Sequence, residues 1–162
     1  MIFESPIGRI LVTSENETIC RVNFIDEDVV VTEKNTTPGD LAVEEKCVEQ
    51  LSDYFFQSRK EFSFRFAQSG TEFQQRVWDE LENISYGHTI SYLKLSQRLG
   101  NIKAIRAAAS ANGKNNLPII IPCHRVIGAD GSLTGYAGGL WRKKWLLEHE
   151  ACGGKIIPSL FN

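Results

Sequence analysis

Two short runs rich in β-branched and apolar residues, GRILVTS and TICRVNF, lie within residues 2–25 and are separated by the polar Glu15-Asn16-Glu17. Runs of this kind around a short polar tip predict strands joined by a hairpin turn. Residues 26–40 are polar and end in Thr37-Pro38-Gly39-Asp40, which predicts a loop with Asp40 capping the helix that follows. In that helix Val43, Cys47 or Val48, Leu51 and Phe55 recur at spacings of three and four. EFSFRF then alternates, with Phe62, Phe64 and Phe66 on one face, and predicts another strand.

At Gln68-Ser69-Gly70 the periodicity changes. Thr71 with Gln74 three positions on forms a capping-box pattern, and Phe73, Val77, Leu81 and Ile84 make an apolar stripe that ends at Tyr86-Gly87. Ser91 caps a predicted short helix through Leu99, Gly100 is its expected stop, and Asn101 recaps a second helix running to about Asn112-Gly113. Two short helices across a tight turn with Gly are the helix-turn-helix pattern. The three isoleucines 119–121 suggest a buried strand that Pro122 stops. The expected fold is an α/β N-terminal lobe, a small sheet plus helix, over 1–68, followed by a mainly α C-terminal domain with a helix-turn-helix over 69–162.

Length and composition exclude several classes. The 162 residues suffice to bury a core, and 42% hydrophobic with 23% charged residues is ordinary for a globular chain. No apolar window is long enough to span a membrane, and no basic-then-apolar leader opens the chain, so a cytoplasmic protein is expected. The net charge of −2 hides an asymmetry: residues 1–68 hold 7 basic and 13 acidic residues, residues 69–162 hold 11 and 7. No acid occurs between Glu82 and Asp130, an interval carrying Lys94, Arg98, Lys103, Arg106, Lys114 and Arg125. Such a block fits a phosphate-rich partner, and equally a solvated basic face.

The second helix of the pair, Lys103-Ala104-Ile105-Arg106-Ala107-Ala108-Ala109-Ser110-Ala111, has little bulk. Helix propensity and close packing both explain that. A thin helix entering a minor groove about 6 Å wide also explains it, with Arg106 taking the place of an extruded base. Four cysteines, Cys20, Cys47, Cys123 and Cys152, form no C-x-x-C pair, so no structural zinc site and no cofactor are expected, and the thiols are read as reduced. Cys123 follows an apolar segment and is followed by His124 and Arg125. A thiol with a pKa near 8.5 is about 3% ionised at neutral pH, so a nucleophilic cysteine needs a base in reach. His124 can serve directly or through a water; an inert buried cysteine is the competing reading.

The longer string is more specific. IPCHRV, with Asn115 eight positions before the cysteine and GYAGGLWRKKWLLEHE after it, resembles the signature of the O6-alkylguanine-DNA alkyltransferases, also called methylated-DNA–protein-cysteine methyltransferases. GTEFQQRVWDEL, Ile90-Ser91-Tyr92 and the Arg106 helix belong to the same resemblance, which covers residues 70–150 nearly continuously. It implies a single-turnover DNA repair reaction in which an alkyl group leaves O6-alkylguanine, or O4-alkylthymine, for a cysteine thiolate after base flipping. On that resemblance Cys123 is the acceptor, His124 the base acting through water, Glu150 its orienting carboxylate, Tyr92 the hydroxyl near the flipped base, and Asn115 the brace of the turn before the cysteine. Arg106 fills the stack. The resemblance also implies that Tyr136, Ala137, Gly138 and Gly139 wall the base; Ala104 and Ala107 of the thin helix and Arg125 of the basic block are expected to contact DNA. The implied partner is double-stranded DNA met through its minor groove by a monomer, without metal, cofactor or membrane. Asn116-Leu117 before Pro118 departs from the family pattern of a proline directly after the asparagine and predicts a looser hinge. A non-enzymatic damage sensor, a thiol hydrolase and a transcription regulator are the alternatives; the cysteine opposes the first, and the basic helix-turn-helix opposes the second.

Overall fold

The computed structural model describes residues 1–26 and 36–154, which fall into two compact units divided between Gln68 and Ser69, with Gly154 grouped with the first. In the first unit three antiparallel strands, β1 (Ile2–Ser5), β2 (Gly8–Glu15) and β3 (Thr18–Ile25), pair in sequence order. Asn16 and Glu17 form the hairpin tip with φ of 51° and 59°, the handedness that matches the twist of the flanking strands. Helix α1 (Pro38–Phe56) packs on β2 and β3 and buries Cys47, Leu51, Tyr54 and Phe55 against Ile10, Val12, Ile19 and Val22.

Two expectations for this unit need correction. Thr37, not Asp40, is the N-cap: Pro38 occupies the first turn, where its missing N–H costs nothing, and Asp40 completes the capping box from the third helical position. The helix therefore starts inside the segment expected to be loop; residues 27–35 of that loop lie outside the described residues. EFSFRF is not a full strand. It makes one parallel bridge, Phe66 opposite Ile19, although Phe62, Phe64 and Phe66 do share a face with ring centroids 5.8 and 6.2 Å apart.

The second unit is mainly helical. Helix α2 (Glu72–Glu82) carries the reciprocal Thr71–Gln74 capping box, and Ser91 caps α3 (Tyr92–Arg98). Gly100, at φ 78°, turns the chain, and Asn101 caps a short 3₁₀ turn, Ile102–Ala104, that feeds α4 (Ile105–Gly113). Helix α4 packs on α2 and α3, and the Trp78 indole donates to the Ala111 carbonyl at 2.9 Å. The expected strand at Ile119–Ile121 is a compact buried turn. Ile119 has φ 74°, and Ile121 N–H bonds the Leu117 carbonyl at 2.8 Å. An apolar run of three specifies burial but not extension; here burial holds a β-branched residue in the left-handed region, at a cost of order 1–3 kcal/mol. The chain then makes a 3₁₀ turn at Cys123–Arg125 and runs into β5 (Val126–Ile127), which pairs in parallel with β4 (Ile90–Ser91). Helix α5 (Leu140–Ala151) packs against the Cys123–Arg125 turn. No helix among the described residues is long and apolar enough to cross a membrane.

Candidate active site

The 3₁₀ turn at Cys123–Arg125 sends three successive side chains in different directions, and each meets a different set of groups. Cys123 is 5% exposed. The Asn112 side chain of α4 donates to its carbonyl at 3.2 Å. Burial pushes its thiol up from the ordinary value, while a hydrogen bond from the Asn115 side chain and the positive charge of Lys143 pull it down. Burial is the larger influence, so the resting thiol holds its proton until a base removes it.

Asn115 sits in the turn between α4 and the cysteine. Its Nδ2 donates to the Ile121 carbonyl at 2.8 Å and its Oδ1 accepts from Leu117 N–H at 3.0 Å. These two bonds tie the turn on either side of Pro118, where the sequence predicts a looser hinge.

His124 is fully buried. Its Nε2 lies 2.7 Å from Glu150 Oε1 on α5. An ionised carboxylate only accepts hydrogen bonds, so Nε2 carries the hydrogen and Nδ1 carries the lone pair. That Nδ1 is buried without a hydrogen-bond partner among the described residues. Burial lowers the His124 pKa below its ordinary value despite the raising influence of Glu150, which keeps the imidazole neutral, with a lone pair able to take a proton. Glu150 is held ionised well below the usual carboxylate range: burial opposes this, but the hydrogen bonds from His124 and Arg125 and the charge of the Arg125 guanidinium outweigh it.

Arg125 is the correction within the site. The acid-free stretch of sequence made it a DNA contact, yet it is 6% exposed. Its Nε and Nη2 donate to Glu150 at 2.9 Å each and its Nη1 to the Ile84 carbonyl at 2.6 Å. The offsetting acid is absent from the local sequence because it lies 25 positions away on α5. A guanidinium so committed is not available to a phosphate. Lys94, Arg98, Lys103, Arg106 and Lys114, the rest of the basic block, are exposed.

Tyr92, the first residue of α3, donates its hydroxyl to the Thr134 carbonyl at 3.2 Å. Burial raises its phenol, and hydrogen bonding to Thr134 and Asn112 partly offsets that. Opposite it, Tyr136, Ala137, Gly138 and Gly139 form the loop leading into α5, with Ala137 exposed and Tyr136 partly so. Arg142 donates to the Gly138 carbonyl at 2.8 Å, and Lys143 donates to the Thr134 and Gly135 carbonyls at 3.3 and 3.4 Å, so two cations of α5 hold this loop from within. Lys143 and Asn112 escaped the sequence reading. The signal for Lys143 was present: positions 143, 146 and 150 share a helical face with buried Leu146 and Glu150. On α4, Arg106 and Ala107 are exposed and Ala104, at its N-cap, is partly so, while Ala108 and Ala111 pack inward. Small residues therefore serve close packing on one side and a thin exposed face on the other. Among the described residues no cluster of three or more His, Cys, Asp or Glu side chains could hold a metal ion.

Residues 72–152 match the 6-O-methylguanine DNA methyltransferase DNA binding domain, and residues 1–68 match the ribonuclease-like domain of the same methyltransferase. The chain belongs to the 6-O-methylguanine DNA methyltransferase family. Within that family, the methylated-DNA–protein-cysteine methyltransferase of Methanosarcina acetivorans is 43% identical over 149 residues, 92% of this chain and 96% of the relative. The constitutive enzyme of Bacillus subtilis is 43% identical over 138 residues, 83% of this chain and 84% of its own. Among solved structures, Mycobacterium tuberculosis OGT in complex with DNA superimposes with a TM-score of 0.86 at 38% identity, covering 99% of this chain and 98% of that one. The methyltransferase fold, the family and the alkyl-transfer activity read from the sequence all stand on these matches.

Proposed function

We propose that the protein repairs DNA by moving the alkyl group of O6-alkylguanine, and of O4-alkylthymine, onto Cys123 in one irreversible turnover. The observation that carries the site assignment is the fully buried His124, neutral, with Nε2–H committed to Glu150 and the Nδ1 lone pair unspent. In this reading the Sγ–H proton passes through a water to His124 Nδ1, and Glu150 stabilises the imidazolium. The thiolate attacks the alkyl carbon from the side opposite O6. A C–S bond forms, the C–O6 bond breaks, and its electron pair stays with the guanine. The Tyr92 hydroxyl releases Thr134 and offsets the charge gathering on the base. Each unit by which the thiol pKa falls is worth about 1.4 kcal/mol. The thioether has no leaving path, so each chain reacts once.

A duplex hides O6 in its stack, so the nucleotide is flipped, at a cost of a few kcal/mol that is least for a poorly paired lesion. The exposed face of α4 suits the minor groove: Ala104 and Ala107 add little bulk, and Arg106, free of protein partners among the described residues, enters the gap. Tyr136, Ala137 and Gly138 wall the base. Residues 1–68 act as scaffold and 69–162 as the DNA-binding and acceptor domain of a cytoplasmic monomer.

The test is a duplex with a single O6-methylguanine, incubated with excess protein and read by loss of the lesion and by intact mass. One methylene gained per lesion consumed, and none by Cys123→Ala, is expected. Lesion binding without mass gain would mean a damage sensor instead.

A further inference from the structure

The reaction above assigns work to Cys123, His124, Glu150, Tyr92 and Asn115, but leaves the most heavily bonded side chain of the turn unused. Arg125 places three N–H donors on two groups. Two go to the Glu150 carboxylate as a fork at 2.9 Å each, and one goes to the Ile84 carbonyl beyond the end of α2. Its guanidinium also lies 5.6 Å from the centre of the Tyr86 ring. Glu150 Oε1 receives both His124 Nε2 and Arg125 Nη2, while Oε2 receives Arg125 Nε and, at 3.2 Å, the Gly87 N–H. Gly87 is suited to that approach: its φ is 76°, and a Cβ there would stand 3.4 Å from the Glu150 carbonyl.

We propose that Arg125 is a positioning residue for the His124 base: its forked pairing with Glu150 keeps that carboxylate ionised and turned toward the imidazole, and so keeps the lone pair on Nδ1. The inference rests on the alkyl-transfer reading. The reasoning is one of proton location. A buried carboxylate whose only charged partner is a neutral imidazole is pushed toward its protonated form. A protonated Glu150 would donate to Nε2 instead of accepting from it, and the imidazole hydrogen would move to Nδ1. The nitrogen meant to take the thiol proton would then be blocked. A guanidinium prevents this because it is always charged and its planar fork matches both carboxylate oxygens at once. With His124 neutral, Glu150 and Arg125 cancel, so the base works in a locally balanced field.

The other charged or titratable groups facing this cluster are Lys143 on α5, Tyr86 after α2 and Tyr136 in the loop before α5. Lys143 lowers the His124 proton affinity, as Arg125 does. Removing the Arg125 charge therefore raises the proton affinity of both His124 and Glu150, and both changes move the acid limb of the rate–pH curve in one direction, to higher pH.

The experiment follows single-turnover alkylation of Cys123 by the free base O6-benzylguanine from pH 5 to 9 in the whole protein, so that DNA binding does not titrate. Arg125→Met, which keeps the apolar stem, is expected to shift the acid limb up by about one pH unit or more. Arg125→Lys, which keeps charge without the fork, is expected to leave the limb near its original place and lower the plateau about ten- to a hundredfold, the loss typical of an orienting partner behind an imidazole. Circular dichroism at each pH confirms the fold. An Arg125→Met protein that loses rate equally at every pH, or loses none, overturns the proposal and leaves Arg125 a structural clamp. Should that variant not fold, a wild-type plateau in Arg125→Lys overturns it. A wild-type chain that gains no alkyl group on Cys123 would contradict the alkyl-transfer reading itself, a separate result.

Discussion

Replacing Glu150 by glutamine probes the site at its most connected point. The carboxylate is 3% exposed and accepts from His124 at 2.7 Å, from Arg125 twice at 2.9 Å and from Gly87 at 3.2 Å. The amide removes the negative charge and turns one acceptor into a donor. Two effects follow with separate magnitudes. Arg125 is left buried without its anion, and breaking a buried pair from one side costs about 3–5 kcal/mol. The remaining amide oxygen still accepts one guanidinium hydrogen, so the low end, about 3 kcal/mol, is expected; for a chain this long that lowers the thermal midpoint by about 6–12 °C. The amide N–H₂ turned toward Nε2 also drives the imidazole hydrogen to Nδ1. Where an amide forces the wrong tautomer behind a nucleophile's base, the rate falls about 10⁴-fold; a thiol is a better nucleophile than a hydroxyl, so about 10³ is expected here. Rapid-quench alkyl transfer from an O6-methylguanine duplex, with protein in excess, gives the rate, and calorimetry gives the midpoint. A Glu150→Gln protein that is destabilised as expected yet reacts within threefold of wild type would refute the tautomer reasoning while leaving the packing argument intact.

Other perturbations separate the remaining roles. Arg106→Ala should slow repair of duplex DNA while leaving reaction with O6-benzylguanine largely unchanged; equal losses on both substrates would remove Arg106 from base extrusion. Asn115→Ala strands the Leu117 N–H, while the Ile121 carbonyl keeps the Cys123 N–H, a cost of about 1–3 kcal/mol for the one unsatisfied group, and removes a bond that lowers the Cys123 thiol; urea unfolding should show the first and a slower, alkaline-shifted alkylation the second. His124 has a folded pKa below its ordinary 6.5. The unfolded chain therefore binds its proton first on acidification, and this contribution to stability is present above pH 6.5 and declines as pH falls below it. Denaturation midpoints across pH 7.5 to 5 measure this, and a midpoint that rises on acidification would contradict a His124 buried in neutral form.

Local signals carried much of the fold. The Thr71–Gln74 box, the Ser91 cap and Gly100 are short-range chemistry, and each does in the structure what its residue type demands. Readings failed where burial alone was visible. Ile119–Ile121 reads as a strand because nothing in three apolar residues distinguishes extension from a turn. Asp40 reads as a cap because Asp is itself a favoured N-cap residue, whereas here Thr37 takes that place and Asp40 closes the box from the third helical position. In the candidate site, the motif string contains Cys123, His124 and Glu150, of which the structure pairs the last two, but charge counting missed that Arg125 is buried on the same carboxylate. A run of basic residues says nothing about which one a distant acid will claim, and Glu150 comes into reach only when α5 packs on the 3₁₀ turn. The two-residue ladder between Ile90–Ser91 and Val126–Ile127 is likewise a product of tertiary packing and too short to leave a pattern.

The chain offers four thiols, of which Cys20 and Cys152 are the more accessible and Cys123 and Cys47 are buried. Accessibility alone would direct an alkylating agent to Cys152. After reaction with an isotopically methylated O6-methylguanine duplex, protease digestion and tandem mass spectrometry report which sulfur holds the label. Label confined to the Cys123 peptide, at one per chain, is the predicted result. Label on Cys152 or spread among the cysteines would show that the buried turn, its imidazole and its carboxylate do not direct the chemistry.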